Sequence, residues 1–238
     1  MNILAIDGSG NTASIAVLTE NEVLAEYSVN YKKTHSQTLL PMIDTVMKML
    51  ELEVEKLDYI AVSNGPGSFT GLRICASTAK GLGLALNKPL VGVKTLEGLA
   101  YNFEGADCLI CPLMDARRNQ VYTGIYSFGK DENPLAVIED QQAVAIEDIV
   151  EKVNGLGKKV IFLGDGVPVQ KRKIEELVKV EHEYAPPQRL LQSAASLGRR
   201  ALVMINEGKI VSAAELVPEY LRLSQAERER MEKTNRDN

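Results

Sequence analysis

Tyr59-Ile60-Ala61-Val62-Ser63-Asn64-Gly65-Pro66-Gly67-Ser68-Phe69-Thr70-Gly71-Leu72-Arg73 opens the stretch, residues 59–86, around which the chain is organised. Tyr59 to Ser63 is a short apolar run of the kind that forms a buried strand. From Leu72 to Leu86, apolar and small side chains recur at helical spacing. A strand, a glycine-rich turn and a helix aim free backbone N–H groups at whatever lies beyond the helix N-terminus, so the first expectation is a phosphate site. The spacing fits neither standard phosphate loop. No lysine follows Gly71, as a P-loop requires, and Gly65, Gly67 and Gly71 are set too far apart for a dinucleotide fingerprint. On residue chemistry alone the favoured reading is a turn whose glycines let two segments touch. The helix that follows is small-sided, with Ala76, Ser77, Ala79, Gly81, Gly83 and Ala85. A glycine inside a helix costs about 1 kcal/mol against alanine, so something is expected to pack closely against it, within the chain or from a partner.

The bulk composition narrows the function classes. The chain has 238 residues, 45% hydrophobic, enough for one large core or two smaller domains. Its net charge is −5 and its pI about 5.3, so the chain as a whole is not a nucleic-acid footprint, and in an RNA process another subunit is expected to hold most of the RNA. No apolar run is long enough to span a membrane, and Met1-Asn2-Ile3-Leu4-Ala5-Ile6-Asp7 reads as a strand and not as a signal peptide. The expected location is the cytoplasm. The three cysteines, Cys75, Cys108 and Cys111, argue against a disulfide framework. Cys108-Leu109-Ile110-Cys111 has the form of a metal or redox pair but lies in an apolar run with no second pair, so small buried residues on a strand are expected there.

In chain order, residues 3–7 read as a strand ending at Asp7, followed by the turn Gly8-Ser9-Gly10-Asn11 and strands at 12–18 and 23–29. Asp7 beside Ser9 suits a metal-bound water near a phosphate. It also suits an Asx-type turn, and taken alone the turn reading is favoured. An amphipathic helix follows, with the stripe Leu39, Ile43, Val46, Met47 and Leu50, widened by Leu40 and Met42 beyond what one core needs. Pro41 either kinks this helix or marks its start near Leu40. His35 and His182 are the two histidines and form no zinc motif; a polar residue near a helix start is the favoured reading of His35. A strand is expected at 89–93, and Thr95 as the cap of a helix at 96–102.

The second half copies the first. A strand from Leu109 to Asp115, the turn Arg117-Arg118-Asn119 and a strand from Gln120 to Ser127 repeat the order of residues 3–18, with Asp115 in the place of Asp7. A helix at 146–153 follows. Val160 to Leu163 with Gly164-Asp165-Gly166 then repeats the strand and glycine turn of Tyr59 to Gly67, ahead of a helix at 169–178. Such repetition predicts an α/β chain of two like domains, residues 1–105 and 106–223. A helix at 190–205 is placed back on the first domain, and 224–238 is read as a charged, frayed tail.

The string Gly65-Pro66-Gly67-Ser68-Phe69-Thr70-Gly71-Leu72-Arg73-Ile74 closely resembles the signature of the TsaB family, bacterial accessory subunits of tRNA threonylcarbamoyladenosine synthesis, once labelled glycoprotease-like. Asp7 with Ser9, His35-Ser36 with Leu39-Leu40-Pro41 and Ile43, Ala79-Lys80-Gly81-Leu82, and Pro218 with Tyr220-Leu221-Arg222 are similar to that family as well, so the likeness runs nearly end to end. Cys75 departs from it, standing where members often carry glycine. The resemblance implies two ribonuclease-H-like domains of the actin-like ATPase/sugar-kinase superfamily. It also implies a chain that is not itself the catalyst. Such a chain supports TsaD, which carries the metal-binding histidines, together with the ATPase TsaE, in forming N6-threonylcarbamoyladenosine next to the anticodon of tRNAs that read codons starting with A.

The implied partner surface is on the first-domain helices: His35, Leu39, Leu40, Ile43, Met47, Ser68, Phe69, Thr70, Leu72, Arg73, Ala76 and Lys80. Asp7, Ser9, Gly65, Gly67 and Asp115 are the implied vestige of a nucleotide site, with no catalytic residue and no metal. No cofactor is expected to be held tightly by this chain; ATP and magnesium are used mainly through the partner subunits, and tRNA is met only through the complex. A homodimer through the same helices is expected when the partner is absent. The alternative is an ATPase or small-molecule kinase of the same superfamily, with Asp7 and Asp115 near phosphate and magnesium. A metalloprotease lacks a zinc ligand set and is rated poorly.

Overall fold

The structure, a computed structural model, describes residues 1–31, 34–129 and 135–222. The charged tail expected at 224–238 lies outside the described residues.

Two five-stranded sheets share one plan. In the first, β1 (Ile3–Asp7), β2 (Ala13–Leu18) and β3 (Val23–Val29) form an antiparallel meander, with Ile3 opposite Leu18 and Asp7 opposite Ser14. After helix α1 (His35–Met49), β4 (Tyr59–Ser63) joins β1 in parallel; after α2 (Phe69–Leu86), β5 (Leu90–Val93) joins β4. Helix α3 (Thr95–Ala100) leads into the second sheet of β6 (Leu109–Asp115), β7 (Gln120–Phe128), β8 (Leu135–Ala145), β9 (Val160–Leu163) and β10 (His182–Tyr184), with α4 (Ile146–Leu156) and α5 (Gly166–Leu177) in the crossovers. The strand orders β3-β2-β1-β4-β5 and β8-β7-β6-β9-β10 correspond one to one. This is the ribonuclease-H-like topology, made twice. A parallel neighbour cannot be reached by a tight turn, so each parallel step is bridged by a helix.

β1 and β2 are buried at every position because both faces of their sheet are covered. On one side Leu4, Ile6, Ile15, Val17, Ile60 and Val62 meet Leu39, Ile43, Val46 and Met47 of α1 and Cys75, Ala76 and Ala79 of α2. On the other side lies α7 (Ala194–Asn206), which follows the short α6 (Pro187–Leu190) and crosses back from the second half. The strands show alanine to it at Ala5, Ala16 and Ala61, and it shows glycine in return. A Cβ at Gly198 would strike the Leu18 side chain, so this glycine sets how closely the helix lies on the sheet. The joint between halves is apolar: Leu96, Leu99, Tyr101 and Phe103 pack on Ile110, Met114, Tyr126 and Leu163. Within it Arg200 and Glu97 form a buried ion pair at 2.6 Å.

Several element boundaries differ from the sequence reading. α1 begins at His35 and carries Pro41 inside it, so the proline neither starts nor ends the helix. The helix read at 190–205 is two pieces, the second capped by the Ser193 hydroxyl, which accepts from Ser196 N at 3.2 Å. Thr95 is the first residue of α3, not its cap. β8 and β10 are additions. β8 is an edge strand of mixed burial, without the clean alternation that announces a strand, and β10 has three residues. Cys111 is buried on β6 and burial pushes its thiol up to about 12; burial also raises Cys108.

Candidate functional site

The signature loop packs tightly against its neighbours. Gly67 and Gly71 exist for close approach: a Cβ on the first would strike the Ser9 carbonyl, and on the second the Gly8 carbonyl. Gly65, at φ +107°, sits under the Glu219 carbonyl. Two of the N–H groups that a phosphate would seek, those of Ser68 and Gly71, are already engaged. Ser68 N donates to Ser9 O at 2.6 Å, and Gly71 N donates to the Ser68 hydroxyl at 3.3 Å. The glycines and the N-terminus of α2 therefore hold the β1–β2 turn, which accords with the turn reading made from residue chemistry.

Asp7, 2% exposed, lies behind that turn. Its Oδ1 accepts from Ser9 N at 2.9 Å and from the Ser9 hydroxyl at 2.7 Å. Burial pushes its pKa above the ordinary carboxylate value, and the Ser9 bonds pull it partly back. His35 donates from Nε2 to Gly10 O at 2.9 Å, its ring wedged between Gly8 and Gly71. In the second half Asp115 accepts from Arg117 N at 2.8 Å and pairs with the Arg117 guanidinium at 3.2 Å. Asp165 accepts from Asp115 N, and burial raises its pKa.

Between the halves is a cleft of about 580 Å3, lined by Ser9, Gly67, Asp115, Asp165 and three arginines, Arg117, Arg118 and Arg222. Of the five residues taken as a vestigial nucleotide site, Ser9, Gly67 and Asp115 line this cleft and Asp7 and Gly65 do not. Among the described residues no three or more His, Cys, Asp or Glu gather into a group able to hold a metal ion. A second cavity, of about 810 Å3, lies between the starts of α1 and α2, lined by His35, Ser36, Ser68, Thr70 and Gly71.

The implied partner residues divide. Leu39, Ile43, Met47, Leu72 and Ala76 are buried, at 6% exposure or less. This corrects the sequence reading: apart from the exposed Leu40, the apolar stripe of α1 is largely covered by the chain itself, as are Leu72 and Ala76 of α2, so these five side chains are not on offer to a partner. Phe69, Arg73 and Lys80 already meet the chain's C-terminal strap, residues 211–222. Val211 bridges Leu90 of β5, Lys80 Nζ donates to Leu216 O at 3.0 Å, and Tyr220 stacks on Phe69 with ring centroids 4.0 Å apart. Arg73 lies 4.5 Å from the centre of the Phe69 ring, and its Nε donates to the Tyr220 hydroxyl at 3.3 Å. The family-like strings at 65–74 and 218–222 are thus the two sides of one internal contact. Leu40, Ser68, Thr70 and Arg73 are exposed, and His35, Phe69 and Lys80 half-buried. Sequence reading passed over Met49 and Leu84, exposed at 79% and 71%. The signal for Leu84 was present: Ser77, Gly81 and Leu84 follow at helical spacing, opposite the buried Leu72, Cys75, Ala79 and Gly83.

Comparisons with known proteins agree with this architecture. The family described as "TsaD: tRNA N6-adenosine threonylcarbamoyltransferase" matches residues 22–229. A Bacillus subtilis protein named tRNA threonylcarbamoyladenosine biosynthesis protein TsaB is 38% identical over 230 residues, covering 95% of this chain and 96% of its own. The Escherichia coli protein of the same name is 32% identical, covering 93% and 95%. A Pseudomonas aeruginosa crystal structure, described as an uncharacterized protein with similarity to peptidase YEAZ, superposes with a TM-score of 0.79 at 27% identity, covering 93% of this chain and 99% of that one. With a signature loop that braces the fold, a doubled ribonuclease-H-like topology and relatives of one name along nearly the whole length, the chain belongs to the TsaB family of tRNA threonylcarbamoyladenosine biosynthesis proteins.

Proposed function

We propose that this chain is a non-catalytic subunit that docks on the threonylcarbamoyl-transferring subunit, TsaD, through the outer face of α1 and α2, with TsaE joining the pair. In this reading ATP and magnesium are handled mainly by the partners, tRNA is modified by the complex, and the free chain pairs with itself through the same face. The relatives' names support the process. The observation that carries the docking face is Gly81. It sits inside α2, exposed, with nothing within 4 Å of where its Cβ would be. A helix-interior glycine costs about 1 kcal/mol, and at Gly83 close packing accounts for it, because a Cβ there would strike Leu90. At Gly81 no part of the free chain does. A second helix laid over Gly81, between Leu84 and Leu40, gains close contact that any larger side chain would block.

The test is light scattering behind a sizing column, with the chain mixed with TsaD from the same genome. Leu40→Asp and Leu84→Asp, both at exposed positions, are expected to keep the melting temperature and weaken pairing at least tenfold. Wild-type pairing by the double variant sinks the assigned face. A wild-type chain that never pairs with TsaD sinks the functional reading itself.

A further inference from the structure

The most strained backbone of the described residues carries two arginines. Arg117, Arg118 and Asn119, consecutive in the β6–β7 turn, have φ of 63°, 55° and 58°. A non-glycine residue held there is disfavoured, because its Cβ crowds the following carbonyl. The matching reversal in the first sheet, Gly8 to Asn11, is made with no residue at positive φ. Reversal at this point of the topology therefore does not demand the strain. What the second turn has and the first lacks is a pair of long cationic side chains, held at the mouth of the cleft.

Their surroundings extend the feature. The Arg117 side chain is 84% exposed although it reaches Asp115. Arg118 is exposed, and no ion pair of the described residues involves it. Across the mouth, Arg222 is anchored by Nη1 to Ala116 O at 2.6 Å, and Arg73 lies over Phe69 beside the exposed Tyr220. Three carboxylates stand nearby and each is engaged: Asp115 with Arg117, Asp165 with the Asp115 amide, and Glu219 with the Gln141 amide at 3.2 Å. In a chain of net charge −5, this is a local concentration of guanidinium groups spread over three elements.

We propose that the lip formed by Arg117, Arg118, Arg222 and Arg73 beside Tyr220 is a direct contact for RNA phosphodiesters. The inference rests on the functional reading above for the identity of the RNA, a tRNA. Guanidinium groups grip phosphate oxygens by paired N–H donors, and an exposed aromatic beside them suits an unstacked base. A mononucleotide is the weaker fit: its phosphates would need a converging cradle, and two N–H groups of the loop, those of Ser68 and Gly71, are already bonded to Ser9 O and the Ser68 hydroxyl.

The experiment is fluorescence anisotropy of labelled tRNA titrated with the full chain alone, from about 50 to about 200 mM salt. Two lost phosphate contacts make the slope of log affinity against log salt shallower by about 1.5, so Arg117→Gln with Arg118→Gln is expected to change it by that much and to weaken binding about tenfold at the low-salt end. Arg172→Gln, at an exposed arginine of α5, is expected to change neither. Arg118→Gly separates function from folding: it relieves a strained residue, so the chain should melt higher while binding RNA more weakly. No RNA binding by the wild type, an unchanged slope in the double variant, or an equal loss in Arg172→Gln overturns the proposal. Displacement of the tRNA by micromolar ATP also overturns it, in favour of a nucleotide site. Pairing with TsaD is measured separately on the same variants; pairing intact with RNA binding unaltered removes this inference and leaves the functional reading standing.

Discussion

Asp7 combines a charge with full burial, and its chemistry follows from that conflict. The Ser9 amide and hydroxyl steady the carboxylate, but burial is the larger effect and its pKa is raised. An acid whose folded pKa lies above its unfolded value holds more protons when folded, so this group's share of stability falls as pH rises from the ordinary 3.8 through the folded value and is level above it. Asp7→Asn keeps an oxygen for both Ser9 donors and removes the charge. It is expected to raise stability at neutral pH and to flatten that slope, each tenfold change in proton affinity being worth about 1.4 kcal/mol. Urea melts over a pH series decide it; a large loss of stability in the asparagine variant at neutral pH contradicts the account. The sequence placed Asp7 and Asp115 at matching strand ends, and that was legible because the repeat is written in the order of strands and turns. The sealing of Asp7 was not, since the groups near it, His35 and Cys75 among them, arrive from separate elements.

At the scale of elements, α1 and α2 show what periodicity carries and what it omits. The spacing of Leu39, Ile43 and Met47 gives a helix with an apolar face. It does not say whether a sheet of the same chain or another molecule covers that face. The sheet answers, because β1, β2 and β4 offer Leu4, Ile6, Ile15, Val17 and Ile60 on that side and need a cover. The face left for a partner is read from what remains outside, Leu40, Gly81 and Leu84. Gly81→Ala follows from this division. In the free chain it fills open space on a helix, so it is expected to stabilise by about 1 kcal/mol and raise the melting temperature by about 2–4 °C. Across the docking face the added methyl holds the partner helix off, so pairing with TsaD weakens. Calorimetry of the free chain together with a sizing-column titration reads both effects; a gain in stability and in pairing together refutes the division.

The whole molecule is tied by contacts between distant parts of the chain. The strap at 211–222 starts as a bridge to β5, passes over α2 and ends on the β6–β7 turn, where Arg222 meets Ala116. Near its end, Tyr220 stacks on Phe69. Tyr220→Ala is expected to lower stability by about 1 kcal/mol and to speed amide exchange at Glu219, whose N–H donates to Asn64 O at 2.7 Å, and at Val211. Unchanged exchange along the strap would show that the ring stack does not hold it. Return of the late helix to the first sheet was legible in the small residues Ala194, Ala195, Ser196 and Gly198. The strap's course was not, because an extended segment of mixed residues has no periodicity to announce its neighbours.

The position of α7 has a consequence for how the protein is made. The first sheet leaves the ribosome with Ile3, Ala5, Ala16, Leu18, Val91 and Val93 bare on one side, because their cover begins only at Ala194. Translating the roughly hundred residues between takes on the order of 5–20 seconds, long on the scale of hydrophobic collapse. Through that interval the nascent first half carries an uncovered apolar sheet face and is a natural client for a chaperone. A gene cut between the two halves, for the same reason, would not release a free-standing first half.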